Sequence, residues 1–169
     1  MVKSFSVNNK FGRFILSVVQ GYNYNKYWKR REIVTNFKNG VNVILKLYFL
    51  YYIKKIDAKF CCSFGTNLNA GALFMSYPHL PHGLNGIIVG HDVVIGRNCV
   101  IYQQVTIAHG SGIVIGDNVV IGAGAKIIKG KIGNNVKIGA NCVVVEDIPN
   151  GATVVLNKPR IIVHKELVG

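Results

Sequence analysis

Histidine is the side chain in this protein best suited to moving a proton near neutrality, because an unperturbed imidazole titrates near pH ~6.5. Of the five histidines, His79 and His82 share the proline-rich stretch YPHLPHGLNG, and His109 stands in AHGSG. A histidine in such a loop is often only a polar loop residue. Lysines form the second chemical group, with Lys126, Lys129 and Lys131 close together and Lys137 just beyond. Cysteine is the third. Cys61, Cys62, Cys99 and Cys142 show no CxxC or Cys/His spacing of the kind that holds zinc, so no metal is expected, and they read as free thiols of a reducing compartment.

What would position these groups is a repeat of six. Aliphatic residues stand at Val89, Ile95, Ile101, Ile107, Ile115, Ile121, Ile127, Ile132, Ile138 and Val144. Glycine follows directly at 90, 96, 116, 122, 133 and 139, and a second register four residues on holds Val93, Cys99, Val105, Val119, Ala125, Val136 and Cys142. A helix repeats near 3.6 residues and a strand near 2, so neither alone explains the pattern. A short strand followed by a corner does: three such hexads close a triangular coil of about eighteen residues, and successive coils stack into a prism.

The aliphatics would then fill the interior, the small register would sit where the walls converge, and the glycines would supply turn conformation and close approach. Each buried aliphatic contributes roughly 1.5–3 kcal/mol. Cys99 and Cys142 fall in the small register and read as packing. Two breaks interrupt the count. Eight residues separate Ile107 from Ile115, so AHGSG should bulge outward, and five separate Ile127 from Ile132 in a lysine-rich stretch. Loops on a rigid scaffold are where function concentrates.

The charge is concentrated elsewhere. The chain of 169 residues carries a net charge of +13, and residues 1 to 60 hold 12 basic and 2 acidic residues against 8 and 5 in the remainder. This proline-free first third alternates basic and aromatic clusters, which favours two or more helices, and Val41 to Ile53 should be buried on more than one side or lie on a membrane surface. KYWKRR suits RNA or a solvated helix face, but no RNA-binding signature accompanies it, so nucleic acid is not expected. The run FILSVV is too short for a secretory signal and VNVILKLYFLYYI too short to span a bilayer, so a cytoplasmic protein is expected. The organisation expected is a basic aromatic helical region over 1–60, a prism over 61–148 and a tail over 149–169.

The stretches VTIAHGSGIVIGDNVVIGAGAKI and KIGNNVKIGANCVVVEDIPNGATVV resemble the hexapeptide-repeat acyltransferases, in particular the serine acetyltransferase branch, which includes enzymes that O-acetylate sugars of surface polysaccharides. The resemblance covers about residues 60 to 165. It implies a mainly β fold, the left-handed parallel β-helix, assembled as a homotrimer with acetyl-CoA in the groove between adjacent subunits. It also implies a histidine general base ahead of Gly86-Ile87-Ile88-Val89. His82 takes that place, one residue further back than the usual spacing, and His79 is the alternative. By the same resemblance His109 or Gly110, Ala123, Lys137 and Ala140 line the CoA groove, with Lys158 and Arg160 adding charge in the tail.

One departure concerns the acid that pairs with the base: where the family has an aspartate this chain reads CCSFGTN. The long acidic helical domain of the serine enzymes is likewise replaced by a basic one. The function expected is acetyl transfer from acetyl-CoA to a hydroxyl, of a sugar in surface-polysaccharide assembly, with peripheral membrane contact through the basic N-terminus. Serine O-acetylation is the alternative, and a non-catalytic binding protein the third reading.

Overall fold

The computed structural model describes residues 18–19, 21–110 and 112–157, so the expectations for Lys158, Arg160 and FILSVV up to Leu16 and Ser17 fall outside the described residues. From Ser63 to Val154 the chain winds as a parallel β-solenoid. Sheet A stacks Ser63–Phe64, Ile88–Val89, Thr106–Ile107, Lys126–Ile127 and Val143–Val144. Sheet B stacks Leu73–Phe74, Val94–Ile95, Val114–Ile115 and Lys131–Ile132, and sheet C stacks Val100–Ile101, Val120–Ile121, Lys137–Ile138 and Thr153–Val154. The fold is the three-sided prism that the hexads predicted, the left-handed β-helix that the resemblance implied, preceded by the helices expected of the basic aromatic region.

Each two-residue strand turns its second side chain inward, so Ile95, Ile101, Ile107, Ile115, Ile121 and Ile127 are all buried. The pairing registers display the two breaks directly. Val89 lies beside Ile107 eighteen residues on, Ile107 beside Ile127 twenty on, and Ile127 beside Val144 seventeen on. The insertion is accommodated by the loop after Ile107, which projects while Ile113 returns to the interior. The deletion is accommodated at Gly130, whose φ of 115° and 2.2 Å separation between an added Cβ and the Glu146 carbonyl oxygen admit no side chain.

Glycine's role in the hexads differs in part from expectation. None of Gly90, Gly96, Gly116, Gly122, Gly133 and Gly139 takes a positive φ. They permit close stacking: a Cβ on Gly90 would stand 2.6 Å from the Ala108 carbonyl oxygen, and one on Gly122 2.6 Å from the Ala140 amide nitrogen. Left-handed corners belong instead to Asn98, Asn118, Asn135 and Asn141, at φ 56–58°, and to Gly86, Gln104 and Gly124, at φ 60–70°. Asparagine tolerates that region because its amide can bond locally, and here the amides also form a ladder, Asn98 donating to Asn118 and Asn118 to Asn135 at 3.2 Å each.

Among the described residues, two full helices precede the solenoid. Helix α1 spans Tyr24–Thr35, capped by the Asn23 side chain accepting from the Lys26 amide, and α2 spans Val43–Lys59, capped by Asn42 accepting from the Ile44 amide. The first coil would expose an open end, and α1 covers it. Trp28 sets its ring 5.1 Å from Phe64 and 5.0 Å from Phe74. Arg31, 4% exposed, donates to the Phe64 and Ala72 carbonyls at 2.7 Å and to Thr66 Oγ1 at 3.1 Å. The Tyr27 hydroxyl donates to Asp57 Oδ1 and ties α1 to α2.

Helix α2 departs from expectation. Only one stripe is buried, through Lys46, Ile53, Ile56 and Asp57, while the opposite stripe of Ile44, Leu47, Tyr48 and Tyr51 is exposed. The buried stripe includes a lysine because Lys46 Nζ finds the Asn36 carbonyl and Asn69 Oδ1, both at 2.7 Å.

Candidate functional site

The corner from sheet C to sheet A gathers three of the expected residues. Its coils are stitched by backbone bonds from Gln104 N to Asn85 O, from Gly124 N to Gln103 O and from Asn141 N to Ala123 O, at 2.8–3.0 Å. Along this edge lie His82, Tyr102, Ala123 and Ala140, one from each successive coil. The His82 ring is exposed and sits 5.8 Å from the Tyr102 ring. Ala123 and Ala140 leave the edge low and open, as their partly buried and exposed methyls show.

Cations flank the edge on both faces. Lys137 projects from sheet C, in register with Val120. From sheet A, Lys126 Nζ reaches back to the Gln104 carbonyl at 3.0 Å and to Thr106 Oγ1 at 2.9 Å. Gln103 Oε1 is buried on this edge without a hydrogen-bond partner among the described residues. Such an acceptor is costly to bury unpaired, and it suits a ligand that brings an amide N–H.

His109 and Gly110 stand on a different edge, the corner from sheet A to sheet B, with sheet A lying between them and His82. There His109 Nδ1 lies 3.0 Å from Asp92 Oδ1, and the Gly110 amide donates to Asp92 Oδ2 at 2.9 Å. The His91 ring meets the His109 ring edge-on at 6.1 Å. Lost hydration works to raise the Asp92 carboxyl, but the backbone amides of Asp92, Gly110 and Gly112 together with the imidazole hold it below its ordinary range. The carboxylate is therefore an acceptor only, so His109 Nδ1 carries the hydrogen. With Nδ1 engaged by Asp92, Nε2 is the ring nitrogen left for a ligand.

Sequence reasoning missed Asp92, Tyr102 and Gln103. The signal was present: Asp92 follows Val89 by three residues as Gly110 follows Ile107, so the hexad register sets both on one corner. Neither His79 nor His82 has an acidic partner among the described residues. His79 instead continues sheet C through backbone bonds, its amide to the Cys99 carbonyl at 2.8 Å and its own carbonyl to the Ile101 amide at 3.0 Å. The thiols play no part here: Cys99 and Cys142 are buried in the small-residue register, as expected. Among the described residues no three of His, Cys, Asp and Glu converge as metal ligands. A cleft of about 760 Å³ between α1 and the first coil, bordered by Arg31, Glu32 and Tyr77, contains none of the expected site residues.

No family model matches the chain. Over 105 residues it is 39% identical to the serine acetyltransferase of Synechococcus elongatus, a match covering 58% of this chain and 43% of that enzyme. The chain therefore spans less than half the length of this curated relative. Soybean serine acetyltransferase complexed with serine superposes with a TM-score of 0.65 at 26% identity, over 95% of this chain and 64% of that one. A serine acetyltransferase in complex with CoA superposes with a TM-score of 0.61 at 30% identity, over 79% of this chain and 53% of that one. In sequence and in fold, the chain is thus similar to the hexapeptide-repeat acyltransferases and, among them, to the serine acetyltransferases.

Proposed function

We propose that the protein is an acetyl-CoA-dependent O-acetyltransferase. The observation that carries this reading is the combination of a serine acetyltransferase-like coil with an edge on which one imidazole, small residues and flanking lysines coincide. Acetyl-CoA supplies an activated thioester. Its fit to the chain rests on this edge: Ala123 and Ala140 leave room for a slender arm, Gln103 Oε1 offers an unpaired acceptor to an amide, and Lys137 offers charge to phosphates.

A hydroxyl attacks a thioester poorly until a base removes its proton, and a positioned imidazole provides about 10²–10⁴-fold by doing so. His82 takes that role, its ring tilted at 47° against that of Tyr102 rather than steered by a carboxylate. His109 and Gly110 lie on the next edge of the same prism, so one protomer does not bring them to His82. Assembly as a homotrimer, with the corner bearing His82 facing the corner bearing His109 on a neighbour, unites the two sets in one groove. His109, with Nε2 left for a ligand, then accepts from an N–H or O–H of the bound substrate.

Serine is the acceptor that the similar proteins support, since the relative and both structures are serine acetyltransferases. The sugar hydroxyl expected from the sequence finds no support among them. It keeps one favouring observation, the basic helical region, whose charge suits an acidic or lipid-linked acceptor. The four free cysteines of the described region suit a reducing cytoplasm.

Release of CoA thiol from acetyl-CoA, followed with free serine and with a panel of sugars, tests the proposal. Serine-dependent release that collapses in His82→Ala while the trimer persists is the expected result. Release from neither serine nor any sugar above the rate of acetyl-CoA hydrolysis refutes it.

A further inference from the structure

A helix at the surface of a water-soluble domain turns its polar face outward. Helix α2 does not. Along its first two and a half turns the outward stripe is Ile44, Leu47, Tyr48 and Tyr51, with exposures of 73, 49, 58 and 66%. The same stripe continues, one turn further on, into Lys54 and Lys55. Phe37, 77% exposed, precedes the helix beside Lys38.

The surroundings of the stripe are cationic. Arg30, from α1, lays its guanidinium 4.2 Å from the Tyr52 ring centroid and 4.9 Å from that of Phe49. Between residues 21 and 60, with Arg31 and Lys46 buried, seven lysines and arginines remain toward solvent. Against them stands Glu32, already accepting from the Tyr77 hydroxyl, while Asp57 is buried against Tyr27. An exposed apolar stripe rimmed by one sign of charge constrains its partner: it must offer apolar depth beneath an anionic surface.

We propose that the outward face of α2 docks on an anionic lipid bilayer, with Ile44, Leu47 and Tyr51 entering the headgroup boundary and Lys54 and Lys55 reaching lipid phosphates. At the headgroup boundary such a face is taken out of water while its rim of lysine and arginine meets anionic lipid. Among the described residues no helix is long and apolar enough to cross a membrane, so α2 lies on the surface and does not span. A second copy fits less well, because apposing two α2 faces brings lysines together with no acid to balance them. Nucleic acid would meet the charge but leave the aliphatic stripe in water. The inference is independent of the acetyl-transfer reading, since the binding assay contains no acetyl-CoA.

Sedimentation of the full chain with vesicles of phosphatidylcholine alone, or mixed with phosphatidylglycerol, tests it. Binding is expected to the mixed vesicles only, and to weaken with salt. Because Lys3, Lys10 and Arg13 also attract anions, the variants localise the effect. Lys54→Gln and Lys55→Gln should each weaken partitioning about fivefold, and Ile44→Ser with Tyr51→Ser by more than about tenfold. These side chains point away from the core, so the far-UV spectrum and melting temperature should hold. In a second measurement, a Tyr51→Trp variant should shift its emission to the blue on mixed vesicles, because the only native tryptophan, Trp28, is buried. Absence of binding to the mixed vesicles, binding indifferent to all the α2 variants, or an apolar stripe consumed by higher oligomers that the same serine substitutions dissolve would overturn the proposal.

Discussion

Replacing Arg31 by alanine should detach α1 from the end of the prism before the prism itself melts. The guanidinium is buried and makes four hydrogen bonds, two to the Phe64 carbonyl at 2.7 and 3.2 Å, one to the Ala72 carbonyl at 2.7 Å and one to Thr66 Oγ1 at 3.1 Å. Burial lowers its pKa to about 10, which still leaves it charged at neutral pH. Hydrogen bonds from a charged donor contribute about 1.5–3 kcal/mol each, but water entering the vacated space will satisfy part of what is lost. Removing one member of a buried charged arrangement typically costs about 3–5 kcal/mol, and that is the loss expected here. Arg31→Lys should recover only part of it, because an ammonium cannot span the three acceptors with a planar fork.

The reporter is built in. Trp28 is the single tryptophan, is buried, and is held between Phe64, Phe74 and Tyr77. In urea, the red shift of Trp28 emission should precede loss of the β signal in Arg31→Ala, whereas the two should coincide in the parent. If Arg31→Ala leaves both transitions together and moves stability by less than about 0.5 kcal/mol, the view of α1 as a cap riveted by Arg31 is wrong.

Ala123→Leu narrows the corner proposed for the thiol carrier without touching the interior. It should raise KM for acetyl-CoA about tenfold or more with little change in melting temperature, as initial-rate kinetics will report. At Asp92 the folded carboxyl lies below its ordinary value, so its contribution to holding His109, Gly110 and Gly112 is present above the ordinary carboxylate range and lost as pH falls through the lowered value. Nitrogen chemical shifts of His109 should show hydrogen on Nδ1 at neutral pH in the parent, and a mixed tautomer in Asp92→Asn. Asn118→Ala places a Cβ-bearing residue without a bonding amide at φ 58° and breaks two rungs of the asparagine ladder, which should cost about 1–3 kcal/mol by thermal melting. Asn118→Gly should cost less, since glycine accepts the same φ.

The sequence by itself determined the solenoid. A strand alternates its side chains, so a period of six with aliphatics such as Ile95, Ile101 and Ile121 allows one inward face, and the miscounts after Ile107 and Ile127 could only be absorbed at corners. What the tertiary structure decided are the relations between coils and between helix and coil. Asp92 meets His109 across seventeen residues of chain because stacking brings two corners together; the hexad register sets both on one corner, but only the stacked coils bring carboxylate and imidazole into contact. The glycines of the hexads left the left-handed region to other residues, four of them asparagines, because those glycines were needed where neighbouring backbones nearly touch. Helix α2 reads as apolar around most of its circumference, so composition cannot say which stripe is buried. The choice fell to packing, because α1 and the first coil offered polar partners for Lys46 and a hydroxyl for Asp57, and they left Ile44 and Tyr51 facing out.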